Sequence, residues 1–325
     1  MNVFLTFDVE IWCNGWSRLD DAFPASFERY VYGRSKHGDY ALPKTLEILS
    51  ANRLKGVFFV EPLFSARFGA QYLSRIVRLI QSAGQEVQLH LHPEWTDEIT
   101  PALLANVAVK RQHLVHYDLE EQVQLIGSAK ALLETASGTP VSAFRAGSYA
   151  ADRRTFEALR RNGIGIDSSL NRCFEVSGRD LRNAHDFSAP FELNSVLTYP
   201  VSTFRDGLGR LRPAQVGACS FEELRDAMWS ARARHWSDFT IVSHNFEMLR
   251  PGSSLPDRIV ANRFEKLCAH LAAHRSELPV TGFATMAPGA TGATVGQAGA
   301  EWPLPQATLR ASVNRYAQQA LRRLP

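Results

Sequence analysis

Short apolar runs alternate with longer stretches of helical spacing along most of this 325-residue chain. Residues 2–8, 56–60, 86–90, 141–144, 163–167, 196–200, 239–243 and 280–284 read as strands. Residues 43–49, 72–83, 119–135, 153–161, 221–234 and 257–274 read as helices. Leu73, Ile76, Val77 and Ile80 share one helical face, and Gly84 ends that helix. Ser220 followed by Glu223 is a capping box at the start of 221–234. Strands that alternate with helices imply parallel pairing with crossover helices over the sheet. Seven or eight such units predict a distorted (β/α)7-8 barrel as a single main domain, residues 1–286. A doubly wound open sheet is the alternative. Residues 287–325 read as a Gly/Ala-rich linker and a short C-terminal helix. The connection from residue 9 to 42 is aromatic-rich and shows no clear periodicity.

Composition narrows the function. Net charge is +3, from 36 basic and 33 acidic residues, with no long basic run, so nucleic acid is not an expected partner. The four cysteines (Cys13, Cys173, Cys219 and Cys268) form no CxxC pair and read as free thiols. No apolar stretch approaches the roughly 20 residues a membrane span needs. The chain opens on a strand-like run with no signal-peptide pattern, so a cytoplasmic protein is expected.

In parallel α/β barrels the working groups lie at the C-terminal ends of strands. Asp8 and Glu10 follow the first strand, His90 and His92 the third, Arg145 the fourth, Asp167 the fifth and His244 the seventh. Residues two apart on a strand point the same way, so Asp8 and Glu10 share a face and Val9 opposes them. Such a pair can bind a cation, or one member can act as a base. Strand-end carboxylates also cap loops. His90 and His92 share a face too, and neutral imidazole is the commonest metal ligand. Glu94 is a further candidate. Arg145 at a strand end can hold a carboxylate bidentately and keep it ionised. Asp167 could cap the next segment through Ser168 or Ser169, or orient a histidine. His244 sits where a general acid could reach a substrate, or where a hydrogen-bonded supporting histidine would stand. His113, His116, His270 and His274 read as solvated. Trp12, Trp16, Tyr30 and Tyr32 could stack on a sugar ring or pack the first connection.

Five signals stand in order: Thr6-Phe7-Asp8, His90-Leu91-His92-Pro93, Arg145-Ala146-Gly147-Ser148-Tyr149, Asp167, and Val242-Ser243-His244. This order resembles the polysaccharide deacetylase family, the chitin and peptidoglycan deacetylases with a distorted (β/α) barrel. The resemblance implies that Asp8 is the catalytic base and Arg145 the arginine that holds it. It implies that His90 is a metal ligand, that Asp167 orients the terminal histidine, and that His244 is the general acid. The chain departs from the pattern in places. The family's second, metal-binding aspartate is Val9 here, and Glu10 is the substitute. The family's second histidine lies four residues after the first, where this chain has Glu94; His92 is the better ligand by chemistry.

The expected function is a metal-dependent hydrolase that removes an N-acyl group, acetyl, from an amino sugar of a surface-polysaccharide precursor. A divalent metal, Zn²⁺, is expected on Glu10, His90 and His92. The expected partner is an N-acetylated sugar or glycan. The alternatives are a hydrolase of another C–N bond in a small molecule, a catalytically inactive carbohydrate-binding barrel, and an open-sheet sugar-nucleotide enzyme. The last is weakened because no Gly-rich phosphate loop follows the first strand.

Overall fold

The computed structural model describes residues 1–105, 107–182, 187–286 and 303–322. Eight strands form one sheet: β1 (Asn2–Val9), β2 (Val57–Val60), β3 (Glu86–Leu91), β4 (Ala143–Ala146), β5 (Ile166–Asp167), β6 (Phe191–Leu193), β7 (Val196–Thr198) and β8 (Asp238–His244). Their order is β8-β1-β2-β3-β4-β5-β7-β6. All pairs are parallel except the last, β6 with β7. Seven of the eight residues of β1 are fully buried, as expected of a strand covered on both faces. The register sets Asp8 beside His244 on one side and Phe59 on the other.

The sheet curls, and its ends meet irregularly. Ser202 N–H donates to Thr240 O (3.0 Å), Val242 N–H to Ala214 O (2.9 Å) and Val216 N–H to Val242 O (3.1 Å). Backbone groups that a regular ladder would leave open are thus satisfied by a loop. The result is a distorted, nearly closed barrel.

Helices α1 (Leu42–Ala51), α2 (Ala70–Ser82), α3 (Leu119–Ser137), α4 (Arg153–Arg161), α5 (Phe221–Ala233) and α6 (Arg258–Ala273) surround it. Leu73, Ile76, Val77 and Ile80 of α2 are all buried. Each contributes roughly 1.5–3 kcal/mol by leaving water. Asp118, Asp152 and Ser220 cap α3, α4 and α5 with full capping boxes, and Asp257 caps α6. A C-terminal helix, α7 (Leu309–Arg322), packs on α5. The linker expected at 287–299 lies outside the described residues.

Three expectations change. The strand expected at 280–284 is a single bridge between Val3 and Val280. The Glu86 carboxylate takes over there, accepting from Ala284 N–H (2.9 Å) in place of a ladder partner. The strand expected at 163–167 contracts to Ile166–Asp167, because Gly163 turns with φ +69°. The first connection is not featureless: it folds as a helix, Leu19–Phe27, and a wide turn, Glu28–Tyr32. Gly33 ends that turn at φ +60°, where a Cβ would meet Leu249 Cδ2 at 2.7 Å.

Candidate active site and metal centre

β1 delivers Asp8 and, just past its end, Glu10, while Val9 turns into the apolar core. The alternation is the strand's own. Asn245 fixes the strand extension: Glu10 N–H donates to its Oδ1 and its Nδ2 donates to Glu10 O, both 3.2 Å. Arg145 of β4 is fully buried and donates to Asp8 Oδ1 from Nη1 at 2.6 Å. Its other donors go to Thr6 Oγ1, Ser168 Oγ and Ser168 O, at 2.9–3.0 Å. Its guanidinium lies over the Phe59 ring at 4.4 Å. A cation so fully coordinated keeps its partner carboxylate in place.

β3 delivers His90 and His92. His90 Nδ1 donates to Arg145 O (2.8 Å), which leaves Nε2 facing the cavity, 3.7 Å from Glu10 Oε1. His92 Nδ1 meets Glu94 Oε2 at 3.2 Å, and its Nε2 stands 3.2 Å from Glu10 Oε2. That second approach has the distance of a hydrogen bond but not its angles, so the Nε2 atoms of both histidines are buried without a partner. Glu94 therefore sits behind His92, on the ring nitrogen that points away from Glu10. A carboxylate in that position orients a ligating imidazole. Gly147 makes room for the ring: a Cβ there would lie 2.7 Å from His92 Cε1.

These donors form a cluster. One ligand atom each from Glu10, His90 and His92 lies within 4.8 Å of the others, and Asp8, Glu10 and His244 form a second such group. Burial would raise the Glu10 carboxyl, but His92, His90 and His244 hold it well below the usual carboxylate range. Burial would lower His92, but Glu10 and Glu94 hold it well above an ordinary histidine. The cluster thus calls for positive charge at its centre. One carboxylate and two buried, unpartnered imidazole nitrogens fit a catalytic divalent-metal set with an open position.

His244 ends β8 with Nε2 3.5 Å from Glu10 Oε1 and 4.0 Å from Asp8 Oδ2. Its Nδ1 is held by Glu247 Oε1 at 2.9 Å. Against burial, Glu247, Glu10 and Asp8 raise it to about 9. Here the sequence expectation is corrected. Asp167 does not reach His244; it accepts from Ser169 Oγ, Ser169 N–H (3.0 Å) and Thr198 Oγ1 (2.9 Å). Burial pushes its carboxyl up to about 6. Asp167 fixes the turn whose next residue, Ser168, holds Arg145. The orienting carboxylate is Glu247, itself tied to Gln215 Nε2, Gly217 N–H and Ser243 Oγ at 2.6–3.0 Å. Glu247 lies only three residues after His244, but that spacing alone does not single it out, because the contact depends on how the loop folds back.

Asp8, Glu10, His90, His92 and His244 line one cavity of about 700 Å³. Arg145 and Asp167 are fully buried and not among the residues on its wall. The first-connection aromatics divide. Trp12 and Tyr30 line the cavity, whereas Trp16 packs on Trp95 (4.9 Å) and Tyr32 under Arg34 (4.4 Å). His270 is not free in solvent: it is half-buried and accepts from Trp229 Nε1 at 3.2 Å. The four cysteines are free thiols, and among the described residues no helix is long and apolar enough to cross a membrane.

No family model matches the chain, and no curated protein matches it in sequence. Solved structures do match. One, from Mycobacterium smegmatis and described as a "putative polysaccharide deacetylase", is 20% identical, with 87% of each chain covered and a TM-score of 0.55. Another, the 4-alpha-glucanotransferase from Thermococcus litoralis, is 10% identical with a TM-score of 0.54; the match covers 87% of this chain and 39% of that one. At these identities the likeness shows a common fold, a distorted (β/α) barrel.

Proposed function

We propose that this protein is a divergent polysaccharide deacetylase, a metal-dependent hydrolase that removes the acetyl group from an N-acetylated amino sugar. One observation carries the reading: Glu10, His90 and His92 aim one carboxylate and two unpartnered imidazole nitrogens at a common point, beside Asp8 and His244, on the wall of a sugar-sized cavity. The fold shared with the Mycobacterium smegmatis protein supports it. Fold alone does not carry function, as the glucanotransferase with the same barrel shows.

Glu10, His90 and His92 would hold the metal, with Zn²⁺ the ion that suits this set. A divalent cation there acidifies water and polarises an amide carbonyl. Asp8 accepts the proton of the attacking water, and Arg145 holds its carboxylate in position. His244, whose cationic form Glu247, Glu10 and Asp8 favour against burial, donates from Nε2 to the departing amine nitrogen. Glu247 holds Nδ1 so that Nε2 faces the site. Trp12 and Tyr30 offer flat faces to a sugar ring. A carbohydrate-binding module would need neither a general acid nor a buried Arg145–Asp8 pair, whose desolvation costs stability.

Metal content tests this first. The wild type should hold near one equivalent of metal, His90→Ala and His92→Ala should hold none, and only the wild type should release acetate from N-acetylated sugars. Absence of metal in all three after Zn²⁺ is added would replace the enzyme reading with a binding barrel. Turnover of small amides or ureides in preference to sugars would move the substrate class.

A further inference from the structure

The cavity floor is rich in carboxylates, yet its outer wall is cationic. Arg29, Arg250 and Arg322 all line it. Arg322 is answered by Asp257 at 2.6 Å. Arg29 and Arg250 are not answered: among the described residues neither has a carboxylate partner. Glu28, next to Arg29 in sequence, is occupied by Arg34 (3.1 Å) and Arg75 (2.8 Å). The Nε of Arg29 is buried and has no hydrogen-bond partner. Its guanidinium leans on the Tyr30 ring at 5.1 Å and reaches the Arg250–Ser253 turn, with Nη2 3.9 Å from the Cβ position of Gly252.

That turn is built rather than slack. Arg250 N–H donates to Leu255 O (2.8 Å) and Ser253 N–H to Arg250 O (3.1 Å), while Leu249 and Pro256 pair across its base. Arg250 is exposed at its rim. A second hollow of about 620 Å³ shares Arg250, Pro251 and Arg322 with the first, and adds His37, Arg258 and Asp257, the carboxylate that Arg322 answers. The cavity that Glu10, His90 and His92 line thus carries two unneutralised guanidinium groups on its wall as well. An orphaned buried guanidinium nitrogen costs free energy that an anionic ligand would recover.

We propose that the sugar bound here carries an oxyanion, a phosphate ester or a carboxylate, and that Arg29 and Arg250 are specificity-determining residues which bind it. The inference deepens the deacetylase reading and rests on it for the sugar, not for the charge. An oxyanion on Arg29 and Arg250 would share one cavity with the Glu10, His90 and His92 floor, which would receive the acylated nitrogen. The two groups recognise opposite features of one molecule, since a bare neutral sugar meets only the floor and the aromatic faces.

The test uses the full-length, metal-loaded protein and four probes: N-acetylglucosamine, chitotriose, N-acetylglucosamine 1-phosphate and N-acetylmuramic acid. Binding is read by calorimetry and turnover by acetate release. The wild type should bind one anionic probe roughly tenfold or more tighter than the neutral pair. The Arg29→Gln/Arg250→Gln variant should lose that advantage while its affinity for the neutral probes stays unchanged, which also shows that it is folded. Preference for the phosphate or for the carboxylate identifies the group. Equal affinity for all four, affinity for none, or an anion preference that survives in the variant overturns the proposal. Charge selectivity lost in the variant, with no acetate released from any probe, keeps this inference and removes the deacetylase reading.

Discussion

Two clusters of buried charge sit in this barrel, and they are built to different rules. One surrounds Arg315 of α7. Its Nε donates to Glu223 (3.0 Å) and its Nη2 to Asp206 (2.9 Å). Glu223 also accepts from Ser312 Oγ and Ser220 N–H, and Asp206 from the N–H groups of Leu208 and Arg210. Both carboxylates have a cation and further donors. The other cluster gathers Glu10, His90 and His92, and leaves two imidazole nitrogens without a partner. A satisfied network holds chain segments together; a network left open at one point has room for a ligand. The first ties α7 to α5 and to the loop at Asp206. The second fits a metal.

Asp8→Asn attacks the open cluster with the largest expected effect. The amide oxygen still accepts from Arg145, so metal content should persist while kcat falls about 10²–10⁴-fold, as loss of a general base does. Acetate release and metal analysis on the same preparation check it, and an active variant would sink the assignment of Asp8 as base. Arg315→Met attacks the closed cluster. It strands Asp206 and Glu223, and should cost about 3–5 kcal/mol in denaturant unfolding. The activity of the remaining folded protein should stay unchanged. A variant as stable as the wild type would erase the contrast between the clusters.

Asp167 sharpens the comparison, because it is buried on hydroxyl and amide donors without a direct cation. Its carboxyl rises from an ordinary 3.8 to about 6. Folding therefore favours its protonated form. That stabilisation is complete below pH 3.8 and is lost as pH rises to 6, a change of about 3 kcal/mol. The stability difference between wild type and Asp167→Asn should drift against the wild type across that window and stay flat above it. Denaturant midpoints from pH 4 to 7 decide the matter; parallel curves would mean that Asp167 titrates normally.

The fold was legible where one element carried the whole signal. Leu73, Ile76, Val77 and Ile80 mark α2 by their spacing, and Ser220 with Glu223 marks the start of α5. It was not legible at 280–284, where the Glu86 side chain takes the backbone N–H that a strand partner would have taken. Nor was it legible between residues 9 and 42, where a short helix holds Pro24 and a wide turn breaks the period.

The site divides in the same way. The sequence by itself determined that Asp8 and Glu10 share a face, that His90 and His92 share another, and that Arg145 and His244 stand at strand ends, because strand alternation and parallel pairing are local rules. Tertiary structure decided which carboxylate meets which histidine. Glu94 went behind His92, Glu247 took the place expected of Asp167, and α7 set Arg322 on the cavity wall. Those choices depend on where loops fold back across the barrel mouth, and loop geometry follows from packing and backbone hydrogen bonding that no residue spacing encodes.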